Sequence, residues 1–148
     1  MMLVEFVEEF GVSREEAYEY FRTPLHWPQL FKAFGEVEDR GQGWYAVPLR
    51  SFPFPLVTRI TRDEPLQRVE WMFDGFWRGE GQVVFEQTNN GVKIRGYERI
   101  SPSALFWLAP LAERLFLEAR LRKVWESGWR RLRQQAPTSG ETPAFQSE

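Results

Sequence analysis

The sequence predicts an α+β domain, an antiparallel sheet of about six to seven strands covered by one long C-terminal helix. Three observations predict it. From about Phe34 to Ile100 apolar residues alternate with polar ones at period two, and turn residues break the alternation at short intervals. The gaps between these runs are too short for helical crossovers, so neighbouring strands must run antiparallel. After Ser101-Pro102 the chain reads as helical to about Gln135, and in the later part of that stretch apolar residues recur at steps of three and four.

Each element follows from local chemistry. Leu3 to Phe10 alternates as a strand with Val4, Phe6 and Phe10 on one face, and Gly11 ends it. Ser13 and Glu16 form a capping box, in which hydroxyl and carboxylate each satisfy an open amide of the first turn, so a helix runs from 14 to about 22. Pro24 and Pro28 bracket Leu25, His26 and Trp27 in a turn or short helix that reaches Phe31. The strands are punctuated at Gly41 to Gly43, Pro53 to Pro55, Asp63-Glu64-Pro65, Asp74-Gly75 and Asn89-Asn90-Gly91. Asn90-Gly91 reads as a hairpin turn because both residues tolerate positive φ, while Gly79 and Gly81 read as bends within a strand. The final helical region is interrupted at Pro110; beyond it Leu117, Leu121, Val124, Trp125, Gly128 and Leu132 share the face to be buried. Residues 1–135 read as one domain and residues 136–148, rich in Pro, Thr, Ser, Gly and Glu, as a flexible tail.

Composition limits the function. A chain of 148 residues, 43% of them hydrophobic, supports one core but not two ordinary domains. Its 13 Phe and 7 Trp exceed what close packing of a domain this size requires, which points to a lined internal space or to a core rich in rings. A formal net charge of -2 offers no basic field for nucleic acid. The lack of Cys excludes disulfides, thiol nucleophiles and thiolate metal sites. His26, the single histidine, sits in the proline-bounded turn and reads as a packing residue rather than a catalytic base. The acids are spread along separate strands, so neither a metal nor a cofactor is predicted. Gly79-Glu80-Gly81 lacks the spacing and the lysine of a phosphate loop, and Arg130, Arg131 and Arg133 compensate a helix C-terminus. Glu5, Glu8 and Glu9 stand where a signal peptide needs a basic start, and no window approaches a membrane span, so the expected location is cytoplasmic.

The order of these elements resembles the START-related and polyketide cyclase superfamily (SRPBCC), whose fold is the helix grip. Ser13–Phe21 and Pro24–Phe31 look like that family's helix pair with its aromatic and proline linker; Gly81–Glu86 and Asn90–Ile94 look like its closing hairpin; Pro110–Leu115 leads into what looks like the grip helix. The resemblance covers nearly the whole chain. It implies a curved sheet wrapped around the long C-terminal helix, two short helices after the first strand, and a cavity between sheet and helix that holds lipids, polyketides, quinones or hormones. Members of the family range from carriers to cyclases, so the fold alone does not fix an activity.

Within that frame Val69, Trp71 and Phe73, then Trp77, Val83 and Phe85, fall into single strand phases and form either the cavity wall or plain core opposite Leu121 and Trp125. Glu98 follows Val92, Ile94 and Gly96 in an inward phase, where desolvation would raise its pKa and suit it to acid–base work; a bulge would turn it to water instead. Leu105 to Leu108 is a run of apolar residues wider than one helical face, so Phe106 and Trp107 join the expected ligand-binding set. With Phe52-Pro53-Phe54-Pro55 that run would form an apolar rim for ligand access, for a transient membrane or protein contact, or for a dimer. Three functions are then open: a container for a hydrophobic small molecule such as a lipid, isoprenoid quinone or polyketide-like ring; a cyclase or dehydratase in which Glu98 works with Tyr97 or Tyr45; and a protein-interaction module with a filled interior.

Overall fold

Alternation over the first nine described residues puts Met2, Val4, Phe6 and Phe10 on one face, and these four are buried along strand β1 (Met2–Phe10). A computed structural model describes residues 2–50, 52–103 and 117–135. Helix α1 (Arg14–Phe21) starts where the capping residues place it, with the Glu16 amide donating to Ser13 Oγ at 3.0 Å. A 3₁₀ turn over Pro24–His26 leads directly into the short helix α2 (Trp27–Leu30). Six strands follow: β2 (Glu38–Gly41), β3 (Trp44–Val47), β4 (Leu56–Glu64), β5 (Arg68–Asp74), β6 (Trp77–Gln87) and β7 (Val92–Pro102). Helix α3 (Glu118–Gln135) closes the described chain.

The strands form one antiparallel, curved sheet of seven in the order β1-β7-β6-β5-β4-β3-β2. Strands β2 to β7 are thus a meander, and β1 returns to its free side, paired with β7 from Met2 opposite Ile100 to Phe10 opposite Val92. The three helices add to the inner face, giving an α+β, helix-grip-like architecture. The predicted break at Pro110, the residues Phe106 and Trp107, and the tail at 136–148 lie outside the described residues.

Two turns differ from the sequence expectation. Asp63 and Glu64 remain in β4, and the chain reverses at Pro65 to Gln67 with Leu66 at φ 65°. The hairpin at Asn90-Gly91 forms, but neither residue adopts positive φ. Gly91 is required for a different reason, since a Cβ there would overlap the Phe10 carbonyl oxygen at the end of β1.

Helix α3 buries Trp125, Gly128, Trp129 and Leu132, with Leu117, Leu121 and Val124 half-buried above them. Trp129 was absent from the predicted face although it stands four residues after Trp125. A Cβ at Gly128 would overlap the Phe31 ring, so the glycine sets how closely α3 approaches α2. Trp125 stacks on Phe6 with centroids 4.5 Å apart and meets Phe31 edge-on at 5.2 Å, tying α3 to the first strand and to the short helix. At the other end of α3 Arg133 pairs with Glu8, which continues the inward phase of β1 where the core gives way to solvent.

A buried carboxylate in an aromatic cavity

Sheet register brings Trp71, Gly81, Glu98 and Val4 into one row across β5, β6, β7 and β1. Residues opposite each other share a face, and adjacent strands lie about 4.8 Å apart, so the backbones of Trp71 and Glu98 stand roughly 10 Å apart with Gly81 between them. A Cβ at Gly81 would come within 2.6 Å of the Trp71 indole. The glycine therefore does more than bend the strand: it leaves the space across which the indole lies to reach Glu98. Trp71 Nε1 donates to Glu98 Oε2 at 3.1 Å, and from α3 Trp125 Nε1 donates to Glu98 Oε1 at 2.9 Å.

Indole nitrogen only donates, so each carboxyl oxygen holds one donor and neither indole can accept a proton from it. Glu98 is 7% exposed, and burial pushes its pKa up from 4.5 to about 7 even though both indole bonds favour the ionised form. The inward reading of Glu98 thus holds.

Around this carboxylate lies a cavity of about 110 Å³. Phe21, Trp27, Phe31 and Phe34 supply its wall from α1, α2 and the segment after α2, and Trp71, Trp77 and Ile100 supply it from the sheet. Leu49, Phe52, Leu117 and Leu121 line it while remaining half-buried and Arg120 while exposed, which places the mouth between the β3–β4 connection and the first turns of α3. The Trp27 indole N–H is buried with no hydrogen-bond partner among the described residues, its ring set edge-on to Trp71 at 5.4 Å.

Of the predicted wall, Trp71, Trp77, Glu98, Leu121 and Trp125 do line the cavity. Val69, Phe73, Val83 and Phe85 are buried on the same face but belong to solid core. The reason for Phe85 is helix α1, whose Tyr18 and Phe21 rings pack on it at 6.0 and 5.9 Å and fill that part of the sheet. Tyr97 takes the opposite phase from Glu98, and on the outer face its hydroxyl donates to Glu80 at 2.7 Å. Tyr45 is half-buried on β3 opposite Thr58 and is not part of the wall. Neither tyrosine joins Glu98, so the pair expected for proton transfer is not assembled. His26 lies away from the cavity and its Nδ1 donates to the Glu19 carbonyl at 2.7 Å.

The contribution that sequence reasoning missed is the α1–α2 segment. Trp27, Phe31 and Phe34 recur at steps of four and three, a helical signal that the prolines around them obscure. Of the expected apolar rim, Phe52 lines the cavity while Phe54 stacks on Phe76 at 4.1 Å and stays exposed. Among the described residues no group of His, Asp and Glu could hold a metal ion, and no helix is long and apolar enough to cross a membrane.

No family model matches the chain, and no curated protein does. Solved structures do. The XoxI protein from Bacillus cereus is similar with a TM-score of 0.71 at 8% identity, over 91% of this chain and 95% of that one. A conserved protein from Geobacillus kaustophilus gives 0.68 at 12% identity, covering 90% and 94%. The DR_A0006 protein from Deinococcus radiodurans gives 0.62 at 18% identity, covering 90% and 97%. At such identities the similarity shows a shared fold over about nine-tenths of the chain, and it says nothing of activity.

Proposed function

We propose that this chain binds a small, mainly apolar molecule in the cavity between sheet and α3, as a cytoplasmic carrier or sensor of the START-related and polyketide cyclase type. The observation that carries this reading is the aromatic wall around Glu98, the one buried carboxylate among the described residues. Such a space draws an apolar molecule by burial at about 25 cal/mol per Å² and orients it through one polar contact. Its volume of about 110 Å³ is below the roughly 300–1,000 Å³ of drug-sized sites and near that of an engineered apolar cavity of about 150 Å³ that takes up benzene. The occupant is therefore one ring or a short branched chain, or the end of a longer lipid, quinone or polyketide whose remainder leaves by the mouth at Phe52 and Arg120. Binding rather than catalysis is favoured because Glu98 meets no second proton-transfer group among the described wall residues.

The test is titration with single-ring apolar probes, followed by quenching of tryptophan fluorescence. Saturation at one probe per chain is expected, with a dissociation constant between about 10 μM and 1 mM and little response to salt. Failure of every probe, from one ring to a long acyl chain, would remove the container reading and favour an interaction module.

A further inference from the structure

We propose that the polar end of the bound molecule is a protonated amine: the site fits a small apolar ammonium cation, its N–H groups on Glu98 and its hydrocarbon body among the rings. This rests on the ligand-binding reading above and names the class of ligand. Glu98 is buried, and among the described residues no cation pairs with it; the forces acting on it are burial and the two indole bonds alone. Those bonds are neutral, so the ionised carboxylate keeps its full charge in an apolar space, where an uncompensated ion is unfavourable even after relaxation. Each oxygen has one donor and so retains acceptor capacity.

An alcohol would offer one hydrogen bond and leave the charge standing. An ammonium offers up to three donors and cancels it. The rest of the wall selects in the same direction, because aromatic faces carry negative potential that attracts a cation and opposes an anion. Trp71, Trp125 and Trp27 stand within one ring of each other beside the carboxylate, with centroids 6.3 Å apart for the first two and 5.4 Å for Trp27 and Trp71. Arg120, the other ionisable residue among the described lining, is at the exposed mouth, where solvent screens it. Around Glu98 itself β1 presents Val4, β6 Gly81, β5 Trp71 and α3 Trp125, none of which titrates near neutrality. A pH response of binding therefore belongs to Glu98, whose pKa of about 7 in the empty site a bound cation would lower.

Isopentylamine and isopentyl alcohol have the same shape and differ in charge, and calorimetric titration of both at about pH 8 separates the readings. The amine is expected to bind at least about tenfold more tightly, and its advantage should shrink as the pH is lowered to about 5.5 and Glu98 takes up a proton. Glu98→Gln should abolish the amine's advantage and leave it the weaker binder of the two, because the ammonium then enters an apolar space with no counter-charge. The comparison on the unmodified protein decides even if that variant fails to fold. An alcohol that binds as well as the amine overturns the ammonium assignment and leaves the container standing; failure of both, together with the apolar probes, overturns the container as well.

Discussion

Replacing Glu98 by Gln should change how stability depends on pH, and the structure sets the size of the change. The carboxyl titrates near 4.5 when unfolded and at about 7 when buried in the native protein. Between those values the folded state holds more protons than the unfolded one, so stability falls as pH rises across this window. At 1.36 kcal/mol per unit the loss attributable to Glu98 is about 3 kcal/mol, fully developed above pH 7 and absent below 4.5. Glutamine stays neutral throughout but serves only one indole as acceptor; its amide group faces the other N–H, donor against donor, at a cost of about 1–3 kcal/mol. The variant should therefore be less stable than the parent at acid pH and equal to it or more stable at about pH 8. Urea unfolding followed by tryptophan fluorescence at several pH values gives the difference between the two proteins, in which the other carboxylates cancel. A difference constant to within about 1 kcal/mol from acid to alkaline pH would show that Glu98 is solvated in the folded state and would refute the argument.

Three further expectations concern how the site is held. Gly81→Ala should push the Trp71 indole off its path to Glu98 and destabilise the protein by about 1–3 kcal/mol, whereas Gly35→Ala, where a Cβ meets Pro48 at an ordinary 3.4 Å, should change stability far less. Equal effects in denaturant melts would mean that the close approach at Gly81 is not structural. Gly128→Ala should drive α3 away from Phe31 at a similar cost, about 1–3 kcal/mol, and loosen the cavity; unchanged melting and unchanged probe affinity would count against that contact. Trp125→Ala removes the Phe6 stack, the Phe31 edge and one donor to Glu98 together, so a loss of about 3–5 kcal/mol is expected. A loss below about 1 kcal/mol would mean that α3 does not grip the sheet through this residue.

The architecture was legible in the sequence because its signals are local. Period-two alternation, short turns and the cap at Ser13 set the strand phases of β1, β5, β6 and β7 and the start of α1, whereas Glu98 stayed open between the core and a bulge into water until the unbroken register of β7 decided for the core. Turn chemistry was less reliable. By sequence Gly91 and Gly81 read as conformational devices, yet both serve close approach between segments distant in sequence, to the end of β1 and to the Trp71 ring. No local pattern carries that information, because the atom that would collide belongs to another element.

The same limit applies to the site. Alternation assigned Val69, Trp71, Phe73, Val83 and Phe85 to the inner face but could not distinguish wall from core, since that depends on which part of the face α1 covers. Helix α1 packs over Phe85 and leaves Trp71, Trp77 and Glu98 beside open space. Likewise Tyr97 is adjacent to Glu98 in sequence and on the opposite side of the sheet in space. Periodicity thus determined which side chains point inward, because the pleat is a property of each strand by itself. Only the docking of α1, α2 and α3 decided where the interior stays unfilled and which two indoles meet the buried carboxylate, because those contacts join residues as far apart as Trp71, Glu98 and Trp125.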